Sequence, residues 1–361
     1  MINSIPPYNP KTNRHVKIFQ KKYHLVNLGV LLSKAREHNF GVPAINVRRA
    51  EIAQGALRAA FSEKSPLILE IAESELGYVG LGLDDVVKIV EEQLAELIEH
   101  YGFMIPLCLH LDHLQKDIKL ADKAIRAGFS SIACDQSRKP IAENIAVLKP
   151  LTEKCHEQAV SVEGELGEIG QAGAATDKNI SVNLEKYVPT VDECLRFARE
   201  TQIDALAIFV GTTHGQDANA LVIAWQRAQE IQKKFSEQNI NMPFVLHGGS
   251  YTETQELDLI EVFQEAIRHQ FAKFNYSTIT SDIFYKYLPP DLCTNIDQAA
   301  KGHANWRKVL GKFKKEIDGV DQKRRYHAII EIKSHLKMMM REAWNSSDKA
   351  RLFPEEFYTL T

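Results

Sequence analysis

Residues 107–134 read LCLHLDHLQKDIKLADKAIRAGFSSIAC. The stretch opens on a short apolar run, Leu107–Leu111, and closes on another, 131–134 (SIAC). Between them, Gln115–Ala127 carries apolar residues at helical spacing. A buried strand, a helix and a second buried strand make one parallel unit with a crossover helix.

The same alternation runs outward in both directions. Apolar, β-branched runs recur at 41–46 (GVPAIN), 67–71 (LILEI), 160–164 (VSVEG), 204–210 (DALAIFV), 243–246 (PFVL) and 271–275 (FAKFN). Helical spacing occupies Ala50–Glu63, Asp84–His100, Ile141–Ala159, Val191–Thr201, Leu221–Gln238 and Thr254–Arg268. Eight such units over roughly 250 residues predict an α/β fold of the TIM (β/α)₈ barrel type. A doubly wound open sheet would show fewer strands and a glycine-rich turn after the first. Here the first strand runs into Asn46-Val47-Arg48, with no glycine.

The barrel is expected over residues 25–288, after an irregular N-terminal arm at 1–24. Beyond it, Pro289-Pro290 breaks the pattern and 289–361 form a C-terminal helical extension. Two basic helical stretches lie there, Trp306–Ile317 and Gln322–Trp344. In the second, Ile329, Ile330, Ile332, Leu336, Met339 and Met340 fall near helical spacing and predict a packing or subunit-contact face. The long polar loop 164–183 reads either as a lid or binding loop or as a solvated surface segment.

Bulk properties exclude several classes. Forty-four basic against 47 acidic residues give a charge of −3, which does not suit a nucleic-acid partner. The five cysteines are scattered and form no C-x-x-C pair, so a reducing compartment is expected rather than a disulfide framework. Met1–Lys22 is polar, without an apolar leader, and no uncharged apolar run approaches the ~18 residues of a membrane span. A cytoplasmic protein with no membrane partner is the expectation.

Polar residues cluster where the predicted strands end. Strand three ends in His110-Leu111-Asp112-His113, strand four in Asp135, and strand five in Glu163 and Glu165. Strand six leads into Gly211-Thr212-Thr213-His214-Gly215, strand seven into His247-Gly248-Gly249-Ser250, and strand eight ends at Asn275. In this fold the C-terminal rim carries the active site, so these residues converge. His113, His214 and His247 are a natural set for zinc, with a fourth position open to substrate. Gly215, Gly248 and Gly249 let backbone N–H groups approach an anion, and Ser250 and Thr278 add hydroxyls. With Asn275-Tyr276-Ser277-Thr278 leading toward the last barrel helix, a phosphate is expected at the loops after strands seven and eight. Asp112 either moves protons at a metal-bound substrate or orients a ligating histidine.

These motifs resemble those of the class II (zinc) fructose-bisphosphate aldolase family. The resemblance rests on His110–His113 (HLDH), Val162–Gly167 (VEGELG), Gly211–Gly215 (GTTHG), His247–Ser250 (HGGS) and Lys273–Thr278 (KFNYST), with Glu143-Asn144-Ile145 after strand four. It runs from about residue 25 to the C-terminal helices. The shorter spacing from HLDH to Asp135 resembles the branch that contains tagatose-bisphosphate aldolases and many bacterial fructose-bisphosphate aldolases. The resemblance implies cleavage of a ketose phosphate to dihydroxyacetone phosphate and an aldehyde. It implies catalytic Zn²⁺ on His113, His214 and His247, with Asp112 exchanging the C4 hydroxyl proton. Asp135 and Glu165 match positions that can hold a second divalent or monovalent cation. Gly215, Gly248, Gly249, Ser250, Asn275, Tyr276, Ser277 and Thr278 match dihydroxyacetone phosphate contacts. A homo-oligomer, dimer or tetramer, is expected by the same resemblance.

The chain departs from the family pattern around the rest of the substrate. Ala72 stands where a serine is usual, Gln216-Asp217 replaces a tyrosine and a lysine, and Ile279 replaces an acidic residue. Strand four ends in Asp135-Gln136-Ser137, and the long loop has Gly170-Gln171-Ala172-Gly173 without the usual following glutamate, Glu168 being the nearest substitute. Three further readings follow: an aldolase for another ketose phosphate, a sugar-phosphate-binding homologue without turnover, and another metal-dependent barrel enzyme such as an epimerase.

Overall fold

The computed structural model describes residues 5–13, 15–16, 23–167, 188–208, 218–247, 259–303 and 305–354. Eight parallel strands close on themselves in sequence order: β1 (Val42–Asn46), β2 (Leu67–Ala72), β3 (Leu107–Leu114), β4 (Ser131–Cys134), β5 (Ser161–Leu166), β6 (Ala205–Ile208), β7 (Phe244–Leu246) and β8 (Phe271–Tyr276). Each coincides with one of the expected apolar runs. The chain is a (β/α)₈ barrel. Helix α1 (Leu28–Glu37) precedes it. The others that follow are α2 (Ala50–Glu63), α3 (Glu73–Leu76), α4 (Leu83–Tyr101), α5 (Leu120–Ala127), α6 (Ile141–His156), α7 (Val191–Thr201), α8 (Ala218–Glu237), α9 (Leu259–Arg268) and α10 (Thr278–Lys286).

Alternation along the strands divides the interior into two zones. Ala44, Ile68, Cys108, Ala205, Ala207, Val245 and Ala272 fill the lower interior with small apolar side chains. Leu28, Leu31, Leu32 and Ala35 of α1 join that cluster and close the N-terminal mouth of the barrel. Asn27 caps α1, its Oδ1 accepting from Val30 N at 3.1 Å while its Nδ2 donates to the carbonyls of Pro6 and Ala159. Leu28 N donates to Ser161 Oγ at 2.8 Å, tying the plug to β5. The upper interior is charged: Glu70, His110, Asp112, Glu163, Glu165 and Lys273 are all buried there.

Two irregularities interrupt the period of two. The β3–β4 register shifts between Leu111 and Leu114, and within that shift His113 adopts φ +46°. The β7–β8 register also shifts: Phe244 pairs with Phe271 but Val245 pairs with Lys273, leaving Ala272 as an extra residue. Such bulges re-aim side chains.

Three expectations need correction. Residues 115–119 are not helical; α5 begins at Leu120 because Glu73 accepts from the backbone N–H groups of Gln115, Lys116 and Asp117, holding them as a loop. Pro289-Pro290 does break the chain, after α10 ends at Lys286, but a helix not foreseen follows at once. Pro290 starts helix α11 (Pro290–Ala300), since a proline at the first helical position lacks only an N–H that would be unpaired anyway. The stretch expected as helix from Trp306 is a 3₁₀ segment, Trp306–Phe313, followed by a short α12 (Lys314–Asp318).

Helix α13 (Gln322–Glu342) buries Ala328, Ile329, Ile332, Leu336, Met339 and Met340 and lies along α2. Its apolar face is therefore spent on packing within the chain. Glu63 at the end of α2 clamps the far end, accepting from both Nε and Nη2 of Arg341 at 2.7 Å and from Ser347 Oγ at 2.6 Å. Gly55 lets the two helices approach: a Cβ there would stand 2.6 Å from Cγ2 of Ile332. Gly55→Val is expected to destabilise the chain by about 1–3 kcal/mol, the usual cost of overpacking. An unfolding midpoint equal to wild type would show that α13 moves off α2 without cost.

Candidate metal centre and substrate pocket

On β3, strict alternation points His110 and Asp112 into the barrel and would send His113 outward. The positive φ at His113 and the register shift bring its ring to the rim instead. It meets His247, from the end of β7, with ring centroids 4.6 Å apart and planes at 81°. Carboxylates surround the pair. His113 Nδ1 lies 3.4 Å from Asp135 Oδ2 and 3.5 Å from Glu165 Oε2, and His113 Nε2 lies 3.7 Å from Asp112 Oδ2. His247 Nδ1 lies 3.6 Å from Glu165 Oε2, while its Nε2 is 2.9 Å from Glu163 Oε1.

The electrostatics describe a place that recruits positive charge. Burial disfavours the charged form of His113, yet Asp112, Asp135 and Glu165 hold its imidazole well above its ordinary pKa. Burial, with Asp135 close by, pushes the Glu165 carboxyl well above its usual range. Asp135 is the opposite: burial is outweighed by hydrogen bonds from His113 and Ser137, and it stays ionised far into acid. Asp112 is also held low, burial being offset by His113 and Lys273. Burial pushes His247 toward its neutral form, the form that ligates.

Do these residues fit a metal? Ligand atoms of Asp112, His113 and His247 lie within 4.8 Å of one another, as do those of His113, Asp135 and Glu165. Imidazole and carboxylate donors suit zinc and similar divalent ions. A metal would replace the proton that the carboxylates now draw onto His113. The described residues therefore fit a divalent cation.

A pocket opens above this centre, lined by Asn46, Arg48, Ala72, Ser74, Glu75, Tyr78, Asn275 and Ser277 together with Asp112, His113 and His247. Glu75 organises its wall. It accepts from Arg48 Nε at 2.6 Å, Asn46 Nδ2 at 3.1 Å and Ala72 N at 3.0 Å. Arg48 also reaches Ser281 Oγ at 3.1 Å, bracing β1 against α10. Asn275 Oδ1 is buried with no hydrogen-bond partner among the described residues.

The expected site residues divide three ways. Asp112, His113, Asp135, Glu165, His247, Asn275 and Ser277 come together, and Thr278 sits buried at the start of α10. Tyr276 does not join them. It is fully buried on the outer face of β8, its hydroxyl 2.7 Å from His335 Nε2 and its ring edge-on to Trp344, because alternation turns it away from Asn275. His214, Gly215, Gly248, Gly249 and Ser250 lie outside the described residues. Sequence reasoning gave no role to Arg48, Glu75 or Lys273, although Lys273 opens the KFNYST motif. Two signals were present: an Arg-Arg pair directly after the first strand, and one lysine inside the apolar run FAKFN.

Comparison with known proteins gives consistent matches. The sequence model of a family described as "Fructose-bisphosphate aldolase class-II" matches residues 26–338. A fructose-bisphosphate aldolase from Staphylococcus aureus is 32% identical over 254 residues, covering 70% of this chain and 81% of its own. A probable fructose-bisphosphate aldolase from Bacillus subtilis is 33% identical over the same length, with the same coverage. Among solved structures, a fructose-bisphosphate aldolase from Campylobacter jejuni superposes with a TM-score of 0.65 at 19% identity, covering 91% of this chain and 97% of that one. The YdjI aldolase of Escherichia coli K12 gives 0.64 at 18% identity, covering 90% and 99%. At such identities the structural likeness speaks for the fold alone.

Proposed function

The chain belongs to the class II fructose-bisphosphate aldolase family, and from that premise we propose that it cleaves and forms a ketose phosphate at a zinc centre. The products of cleavage are dihydroxyacetone phosphate and an aldehyde; fructose 1,6-bisphosphate, giving glyceraldehyde 3-phosphate, is the first substrate to test. The observation that carries this reading is the meeting of His113 and His247 beside a buried, ionised Asp112.

His113 and His247, with His214 assigned from its motif, hold the metal. Zinc, when bound, supplies a Lewis acid that polarises the substrate ketone. Asp112 takes the proton from the C4 hydroxyl during cleavage and returns it during condensation. Its Oδ2 faces His113 at the rim, while Oδ1 is turned down toward Lys273 and His110. Asn275, which lines the pocket, is assigned a contact to a second substrate hydroxyl. Gly215, Gly248, Gly249 and Ser250, from their motifs, and Ser277 and Thr278, at the N-terminus of α10, are assigned to the phosphate. Asp135 and Glu165 are assigned to a second cation beside His113. No helix among the described residues is long and apolar enough to cross a membrane; a cytoplasmic location is proposed from the scattered cysteines of the sequence. A homo-oligomer is proposed from the family.

One observation favours a second reading, an aldolase for another ketose phosphate such as tagatose 1,6-bisphosphate or a modified sugar phosphate. Ala72 offers the pocket no hydroxyl, and the Arg48–Glu75 pair forms the adjoining wall. A panel of ketose phosphates, assayed for dihydroxyacetone phosphate with and without a chelator, tests both. Turnover of at least one member is expected, abolished by the chelator and restored by zinc. Turnover indifferent to the chelator would overturn the metal mechanism. Zinc binding without turnover of any member would make the chain a sugar-phosphate-binding homologue.

A further inference from the structure

Below the rim, Lys273 is fully buried in the barrel. The extra residue in β8 turns it inward. Its Nζ lies 2.9 Å from Glu163 Oε2, 3.3 Å from Glu70 Oε2, 3.1 Å from His110 Nε2 and 3.8 Å from Asp112 Oδ1. The ammonium thus occupies the middle of Glu70, His110 and Asp112, a group otherwise spaced to hold a metal. His110, for all its place in the HLDH motif, gives its Nε2 to Lys273 and its Nδ1 to Ser131 Oγ at 2.9 Å. Burial alone would strip the charge from Lys273, but Glu163, Glu70 and Asp112 keep it.

Glu163 has two oxygens and two partners. Oε2 accepts from Lys273, and Oε1 accepts from His247 Nε2 at 2.9 Å. The second bond leaves Nδ1 as the ring nitrogen of His247 facing Glu165 and the rim. A carboxylate fixed behind a ligating histidine sets its tautomer and ring orientation.

We infer that Lys273 is a positioning residue: it anchors Glu163, and through Glu163 it holds His247 with Nδ1 presented to the metal. This rests on the assignment of His247 as a ligand. The sign of the effect separates positioning from charge. By Coulomb's law alone, removing a cation from beside a metal site strengthens metal binding. If Lys273 acts by positioning, removing it weakens binding.

The test compares the full-length chain with Lys273→Met/Glu70→Gln, in which the second change relieves the like charges that Lys273 separates. Glu163→Gln, an isosteric change, is the second variant and is read where the first does not fold. In chelator-stripped protein labelled with ¹⁵N-histidine at pH 8, wild-type His247 is expected to carry its proton on Nε2. Both variants are expected to show a mixture of tautomers, and Lys273→Met/Glu70→Gln to bind zinc about 10–100-fold more weakly; Glu163→Gln removes an anion, which weakens zinc binding by charge alone, and is read by its tautomers. Folding is checked by thermal unfolding. A folded variant that keeps the wild-type tautomer and zinc affinity overturns the inference. So does a variant that binds zinc more tightly, since Lys273 would then act only as a repelling charge. Wild-type protein that binds no zinc defeats the metal assignment instead, and the tautomer comparison still decides what Lys273 does to His247.

Discussion

Asp112→Asn is expected to keep its zinc and to release dihydroxyacetone phosphate about 10³-fold more slowly. Positioned proton transfer contributes roughly 10²–10⁴-fold, and asparagine matches aspartate in shape while losing the basic oxygen. Asp112 is only 2% exposed, and burial favours its neutral form. His113 and Lys273 nevertheless hold it ionised, so it is a base at neutral pH. The competing role, orienting His113, is disfavoured by geometry. The closest approach to a His113 nitrogen is 3.7 Å, beyond hydrogen-bonding reach. The two roles differ in what else is lost. A proton-transfer residue costs rate alone, whereas an orienting residue costs metal as well. Metal content by elemental analysis and single-turnover release of product, measured on the same preparation, separate them. Zinc lost in step with rate would assign Asp112 to orientation.

His247→Ala is expected to lose more affinity for zinc than the 10–100-fold seen when outer groups are changed, and turnover with it. The fold should survive. His247 contributes little to the apolar core, and Glu163 keeps Lys273 as a partner when the imidazole is gone. The unpaired Glu163 oxygen sets the cost, about 1–3 kcal/mol for a buried group left without its hydrogen bond. Zinc titration beside a thermal melt reads both effects. A variant that melts near wild type yet still binds zinc tightly would place the metal elsewhere, with the Asp135–Glu165 set around His113 as the alternative.

The barrel was legible because each strand is a short apolar run bounded by helical spacing, and that signal is local. The rim was legible for a related reason. His113, Asp135, Glu165 and His247 are polar residues at the ends of apolar runs, where a parallel barrel gathers them. What the sequence hid depends on pairing between strands. Period two puts His113 on the opposite face from Asp112, and only the register shift against β4 brings both to one centre. Lys273 is inward-facing for the same kind of reason, a residue inserted relative to β7. Tyr276 was misplaced because adjacency in a motif was read as a shared face, although neighbours on a strand point apart. Arg48 and Glu75 carry no motif, and their pairing across 27 residues appears only when β1 and β2 lie side by side.

The helix that plugs the barrel bears on the order of folding. Helix α1 touches β1, β3, β5, β6 and β8, and its backbone is tied to Ser161, more than 130 residues away. No local segment can offer it that floor. It leaves the ribosome ahead of all eight strands and has nothing complete to pack on until most of the barrel has been made. Contacts of such long range are entropically costly and form late. In pulse-labelled refolding, the amides of Leu31–Ala35 should gain protection after those of β3 and β5. A helix made before every strand of the barrel would then seat after them.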